Sequence, residues 1–294
     1  MSSLSNFSFE YGASDQITPL VKRLIAKNPG PFTFTGTGTF IVGTKELAII
    51  DPGPIDDNHL KAIIKTSGKN KISHIIVTHT HNDHSPLSKP LQEITGAPIY
   101  SYFNEAMDTK TNNQFEEGYD NSFKPDVIVK DGDLIKGFDW TLEAIHTPGH
   151  TSNHMCYSLL EEKILFSGDH VMGWSTTVIV PPDGDMDEYL KSLEKLLDRN
   201  DNIYLPTHGT QIDNPHDLVN KYIEHRINRE EQIIKAIKSG NFKINDMVKI
   251  IYSDVDPGLH PAASMSTLAH LNRMVKNKII KVDGKGLKAD YRIV

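Results

Sequence analysis

The chain has 294 residues, 38% of them hydrophobic and 23% charged, with 20 Gly and 16 Pro spread along its length. That profile belongs to a folded globular protein with a substantial core and excludes a disordered or fibrous chain. The formal net charge of −7 gives no global attraction to nucleic acid, and the single cysteine, Cys156, excludes an intrachain disulfide and a thiolate zinc cage.

The start, Met1–Tyr11, is polar and carries neither the basic nor the apolar region of a secretory signal, and no apolar run approaches the roughly 20 residues that span a bilayer. A cytoplasmic protein with no membrane segment is expected. Phe32–Val42, rich in Phe, Thr and Val, reads as a strand, and its apolar character is also the basis for expecting a homodimer. Leu47–Ile50 is a short buried run closed by Asp51-Pro52-Gly53-Pro54, and Ile72–Val77 is another. Helical pattern fits Asp57–Ser67 and Leu87–Thr95 between them, and Val127–Val129, Trp140–Ala144, Met155–Leu160 and Lys163–Ser167 continue with the spacing of antiparallel strands. The order predicts a layered α/β fold.

After Asp187 the pattern turns helical. Met186–Arg199 and His216–Ser239 have apolar residues at helical spacing. Ile244–Ser253 and Ala262–Asn277 follow as helices, and Ile279–Val282 and Tyr291–Val294 as a hairpin, the order of a small winged-helix domain. The expected division is a catalytic domain over 1–215, a connecting helix over 216–240 and a winged-helix domain over 241–294.

The chemistry centres on Thr78-His79-Thr80-His81-Asn82-Asp83-His84, directly after an apolar run. Imidazole and carboxylate are ligands of zinc, and so many of them at a strand mouth point inward only if a cation holds them. Alternation along an extended segment puts His79 and His81 on one side, while the next turn brings Asp83 and His84 to a neighbouring point. Further ligands come at three Gly-containing strand ends: His150 in Thr147-Pro148-Gly149-His150-Thr151, Asp169 in Ser167-Gly168-Asp169, and His208 in Thr207-His208-Gly209. His59, His74, His216, His225 and His260 read as ordinary core or surface residues; His146, His154 and His170 lie beside ligands.

An HxHxDH run followed by a TPGHT histidine, an SGD aspartate and a THG histidine, in this order, resembles the metallo-beta-lactamase superfamily over about residues 30–210. The resemblance implies a four-layer αββα sandwich. It also implies two divalent metals, one on His79, His81 and His150 and one on Asp83, His84 and His208, bridged by Asp169 and with Asp51 bracing the ligand loops. Histidine-rich donors make zinc the expected metal, with manganese or iron as alternatives. Thr147–Met155, Ser167-Gly168-Asp169 with Thr176-Thr177-Val178, the helix carrying His225-Arg226 and Arg229-Glu230, and the terminal domain resemble the subgroup that includes beta-lactamase-like protein 2. Thr207 departs from it, standing where Pro-Gly is more common.

The function expected is a hydrolase using a metal-bridging hydroxide, with Asp83 accepting a proton and His154 and Thr177 contacting substrate. The chain has no G-x-S-x-G elbow, in keeping with water as the nucleophile. Members of the subgroup are implicated in single-strand RNA cleavage, which would place Arg226, Arg229, Lys235, Lys238 and Lys243 along an RNA groove. The alternative substrate is a small ester, thioester or lactone, as in glyoxalase II-like relatives, bound under the loop Gly173–Asp185 with Trp174 and Pro181-Pro182 as an apolar lid. A nucleic-acid-binding protein with a structural metal site is the reading from another class.

Overall fold

In this computed structural model residues 8–103 and 118–294 are described. Among them the chain forms two compact units: residues up to Thr147 with Asn153–Thr177 and Arg199–Pro215, and Pro148–Ser152 with Val178–Asp198 and His216–Val294. No helix among the described residues is long and apolar enough to cross a membrane.

The first unit holds two sheets. Strands β1 (Ser14–Gln16), β2 (Val21–Ile25), β3 (Gly38–Val42), β4 (Glu46–Ile50), β5 (Lys71–Ile76), β6 (Ile99–Ser101) and β7 (Val127–Ile128) lie side by side in chain order. The first four pair antiparallel; from β4 onward the pairing is parallel, with a helix over Asp57–Ser67 between β4 and β5 and one over Ser88–Thr95 between β5 and β6. The second sheet runs β12 (Ile203–Pro206), β11 (Ile164–Gly168), β10 (Met155–Leu159), β9 (Thr141–His146), β8 (Leu134–Lys136), and only the β11–β12 pair is parallel.

One apolar cluster takes Val21, Phe40, Val42, Ile50 and Ile76 from the first sheet and Leu142, Tyr157, Leu159 and Phe166 from the second, so two inner faces share one core. The Tyr157 hydroxyl donates to the Val77 carbonyl across it at 3.1 Å. A second cluster packs Ala62 and Ile63 of α1 (Asp57–Ser67) and Leu91 of α2 (Ser88–Thr95) on Leu24, Ile41, Ile49 and Ile75. Side chains of β3 are therefore buried on both faces, which explains the unbroken apolar run Phe40-Ile41-Val42. The Asp56 carboxylate caps α1 by accepting from the Asn58 and His59 amides at 2.8 and 3.3 Å, and Gly68 ends it at φ +62°.

The expected Phe32–Val42 strand is shorter. Only Gly38–Val42 joins the sheet; Phe34 has φ +56° and Gly36 φ +124°, a turn that no extended strand can contain. A Cβ at Gly36 would lie 2.0 Å from the Ala26 carbonyl oxygen. β2 was not anticipated, because Lys22 and Arg23 interrupt its apolar pattern.

In the second unit α3 (Met186–Leu197), α4 (Pro215–Lys238), α5 (Ile244–Ile251) and α6 (His260–Lys276) precede a hairpin of β13 (Ile280–Asp283) and β14 (Asp290–Ile293). Ile233 and Ile237 of α4, Met247 of α5, Leu271 and Met274 of α6, and Ile280 and Tyr291 of the hairpin make its core. The cations of α6 turn to carboxylates within this unit: Arg273 Nη1 is 2.7 Å from Glu230 Oε2, and Lys276 Nζ is 2.9 Å from Asp187 Oδ2. Arg226 is buried and Arg229 lies over the Tyr252 ring at 4.0 Å, so two of the five cations expected along an RNA groove are engaged internally.

Candidate metal centre

The site is built on strand ends. β4 runs into Asp51, fully buried at φ +47°, a conformation that the short polar side chain of Asp tolerates. The Asp51 carboxylate accepts from the Thr78 amide and hydroxyl, both at 2.8 Å, at the exit of β5. It also accepts from the Thr207 hydroxyl at 3.0 Å, beyond β12, and lies 2.9 Å from His84 Nδ1. Thr207, a departure in sequence, is therefore one of the groups that anchor the brace.

The turn after β5 carries Asp83 and His84, the loop after β11 carries Asp169 and the end of β12 carries His208. His84 Nε2 lies 3.3 Å from Asp83 Oδ2 and 3.5 Å from Asp169 Oδ2; His208 Nε2 lies 3.0 Å from Asp83 Oδ2 and 3.4 Å from Asp169 Oδ1. All four side chains are buried. His208 Nδ1 faces the Gly36 carbonyl at 3.2 Å, so the left-handed turn at Phe34–Gly36 supplies its acceptor. Each of these imidazoles thus uses Nδ1–H on an oxygen and keeps its lone pair on Nε2.

His79 Nε2 and His81 Nδ1 stand 3.0 Å apart on the strand-like segment between β5 and this turn, as alternation predicts. His150 is buried, and its Nδ1 donates to the Val178 carbonyl at 2.7 Å, which again leaves the lone pair on Nε2. Two sets of buried metal-ligating side chains are therefore present among the described residues: His79, His81 and His150, and Asp83, His84, Asp169 and His208.

The two residues expected to touch substrate both bond to the backbone of Asp169. His154 is wholly buried, with Nε2 accepting from the Asp169 amide at 3.1 Å and Nδ1 2.9 Å from the Thr147 hydroxyl. Thr177 is buried too, its hydroxyl shared between the carbonyls of Asp169 and His170 at 2.8 and 3.0 Å. Beside His208, Trp174 stacks on Phe34 with ring centroids 5.2 Å apart, and a Cβ at Gly209 would meet Trp174 Cδ1 at 3.0 Å. The sequence motifs do not signal this aromatic pair, because its partners are distant in the chain.

The donor set fits metal ions. Both Asp83 carboxylate oxygens, His84 Nε2 and His208 Nε2 are buried and make no hydrogen bond, and Asp83 Oδ2 lies 3.3 Å from His84 Nε2 and 3.0 Å from His208 Nε2. Buried polar atoms without hydrogen bonds are costly, and so many aimed at one point suit the ligand shell of a cation. Burial disfavours charge on all four groups, yet the facing imidazoles hold Asp83 and Asp169 below the usual carboxylate range. The same carboxylates push His84 well up and His208 up to about 10.

Residues 33–208 match the metallo-beta-lactamase superfamily, and residues 244–288 match the beta-lactamase associated winged helix domain. The chain belongs to the metallo-beta-lactamase superfamily. It is 31% identical over 276 residues to the beta-lactamase-like protein 2 homolog of Caenorhabditis elegans, covering 91% of this chain and 88% of that one. It is also 31% identical over 250 residues to the atrochrysone carboxyl ACP thioesterase of Aspergillus chevalieri, covering 83% and 74%. The fold resembles the crystal structure of a beta-lactamase domain protein from Burkholderia ambifaria, with a TM-score of 0.82 at 17% identity over 99% and 96% of the two chains. Metallo-beta-lactamase fold, winged helix and a metal-ligating His/Asp cluster therefore go together here, in a superfamily whose members are usually hydrolases.

Proposed function

We propose that this protein is a dinuclear metal-dependent hydrolase of thioesters or related small esters. The observation that carries the hydrolase reading is the convergence of Asp83, His84 and His208 on one point with buried atoms in no hydrogen bond. The thioester reading is supported by the thioesterase relative. In this reading His79, His81 and His150 would hold one ion, and Asp83, His84, Asp169 and His208 the other. Zinc is the proposed metal because imidazole-rich donors suit it. When bound, such a pair supplies Lewis acidity and acidifies a water molecule at neutral pH.

The chain's own groups do the rest. Asp51 fixes the tautomer of His84, and the Gly36 carbonyl that of His208, so both rings are set before substrate arrives. The Asp83 carboxylate, at an Oδ atom, is the proposed acceptor for the proton of the attacking water. As the water oxygen bonds to the acyl carbon and the C–S bond breaks, that proton passes to the leaving sulfur. Trp174 and Phe34 offer an apolar wall beside His208 for the acyl group.

The test is a paired assay of zinc-loaded protein on a thioester and lactone panel and on labelled single-stranded RNA, with Asp83→Ala as control. Thioester turnover that disappears in the control is the expected result. RNA cleavage without ester turnover would overturn the substrate, and a preparation active while metal-free would overturn the mechanism.

A further inference from the structure

We infer that His59, in the first turn of α1, is a positioning residue for the ligand loops, acting on Asp51 through the hydroxyl of Thr39; this rests on the dinuclear reading above. From sequence His59 reads as an ordinary core or surface histidine. The three residues belong to one compact unit and are all buried. Thr39 has a single hydroxyl proton and gives it to the Asp51 carbonyl at 2.7 Å, so its oxygen accepts from His59 Nε2, also at 2.7 Å. The two bonds run one way, from imidazole to hydroxyl to carbonyl, and each polarises the next. The imidazole donor thereby holds the hydroxyl in the orientation that reaches Asp51.

The carbonyl held in this way belongs to the residue that braces the site. Asp51 sits at φ +47°, a conformation that its surroundings must enforce in a residue with a Cβ. Its amide donates to the Ile76 carbonyl at 2.9 Å, and its side chain meets Thr78, His84 and Thr207. Thr39 takes the polar group that is left. Two residues on, the Gly53 amide donates to the His84 carbonyl and the Gly53 carbonyl accepts from the Leu87 amide, both at 2.9 Å, so this loop and the ligand run are bonded backbone to backbone. The His59 ring packs on the same loop, since a Cβ at Gly53 would lie 3.5 Å from His59 Cδ2. Filling that space does not call for an imidazole. His59 Nδ1 is buried with no hydrogen-bond partner among the described residues, a cost that an aliphatic side chain would not carry. What the histidine adds is the donor at Nε2.

The experiment records NMR spectra of metal-free protein labelled with 15N-histidine, then titrates it with Co2+ against a chromophoric chelator. In wild type the ring shifts should show His59 as the Nε2–H tautomer; the Nδ1–H tautomer would overturn the inference without any substitution. His59→Leu and Thr39→Val should each shift the Nδ1–H resonance of His84, which reports its bond to Asp51, and alter the Co2+ absorption spectrum. Each should also weaken one of two ions by about 10-fold, the low end for loss of a group that orients a ligand. The double variant should be no worse than either single one, because the two residues act in series. His59→Gln, whose amide N–H can take the place of Nε2–H, should restore the wild-type spectra and isotherm. A space-filling His59 would instead lower Tm in His59→Leu and leave both spectra and the affinities unchanged, and that result overturns the inference. If His59→Leu does not fold, Thr39→Val carries the same expectation. A wild-type chain that binds no divalent ion would sink the dinuclear reading and leave the tautomer result standing.

Discussion

Asp51 Oδ2 lies 2.9 Å from His84 Nδ1, and the same oxygen accepts from the hydroxyls of Thr78 and Thr207 at 2.8 and 3.0 Å. One buried carboxylate thus ties together the exits of β4, β5 and β12. Asp51→Asn keeps the side-chain shape and tolerates φ +47°, but replaces an acceptor of the His84 N–H with an amide. Metal affinity should fall about 10–100-fold while the fold is retained. Equilibrium dialysis with metal analysis reads the first and circular dichroism the second.

Asp83→Asn tests the proposed proton acceptor separately from the brace. It should lower kcat by at least ~10²-fold, the low end for loss of a general base, and should also weaken one of two bound ions. Single-turnover kinetics at saturating metal separates the two effects. An unchanged chemical step would remove Asp83 from its catalytic role.

Trp174→Ala should raise KM for acyl substrates with a smaller change in kcat, because the stacked pair with Phe34 is apolar surface beside the ligands and supplies no ligand itself. The expected loss is about 1 kcal/mol of substrate binding, the scale of an aromatic contact. Loss of metal instead of substrate affinity would show that the pair supports His208 and not the acyl group.

Acid should destabilise the fold through buried neutral histidines. His59 and His270 are both pulled down to about 4 by burial; the pull at His59 is opposed by Asp56, and that at His270 is opposed by Glu230 and reinforced by Arg226 and Arg229. The Thr39 hydroxyl donates to the Asp51 carbonyl and so accepts from His59 Nε2 at 2.7 Å, which makes Nε2 the N–H nitrogen of the neutral ring. A folded pKa below the unfolded one means that the unfolded chain binds more protons. Stability is therefore full above about pH 6.5 and declines as pH falls toward 4, by on the order of 3 kcal/mol for each group. Urea midpoints measured from pH 7 to 4 check this, and His270→Gln should flatten the curve.

Gly149→Ala tests the loop that carries His150. Gly149 has φ +138°, and a Cβ there would lie 2.3 Å from the Tyr189 Cα, a backbone atom that a side-chain rotation cannot move away. The substitution should cost more than ~1 kcal/mol and displace His150, lowering both Tm and metal content. A variant with wild-type Tm and two metals would show that the loop tolerates movement.

The ligand motifs were legible because each sits where an apolar run ends, and burial fixes strand ends. Helices were legible too: Asp57–Ser67 matches α1, whose Asp56 and Gly68 caps are written in sequence. What could not be read was which nearby histidine serves a ligand and which a substrate. His154 and Thr177 stand next to ligand motifs, and only three-dimensional placement shows them holding the Asp169 backbone. The Phe32–Val42 strand failed for a related reason. β-Branched and aromatic composition favours a strand, but the chain turns at Phe34–Gly36, and that turn places the Gly36 carbonyl 3.2 Å from His208 Nδ1.

The pairing of Arg273 with Glu230, and of Lys276 with Asp187, has a consequence for the terminal module. A groove-reading helix must present its cationic groups to phosphate oxygens, and those two are already neutralised inside their own unit. Within its own unit α6 therefore acts as a strut, its Arg273 and Lys276 held by Glu230 and Asp187. Presenting those two cations to a phosphate would require changing Asp187 and Glu230 first, not adding lysines to α6.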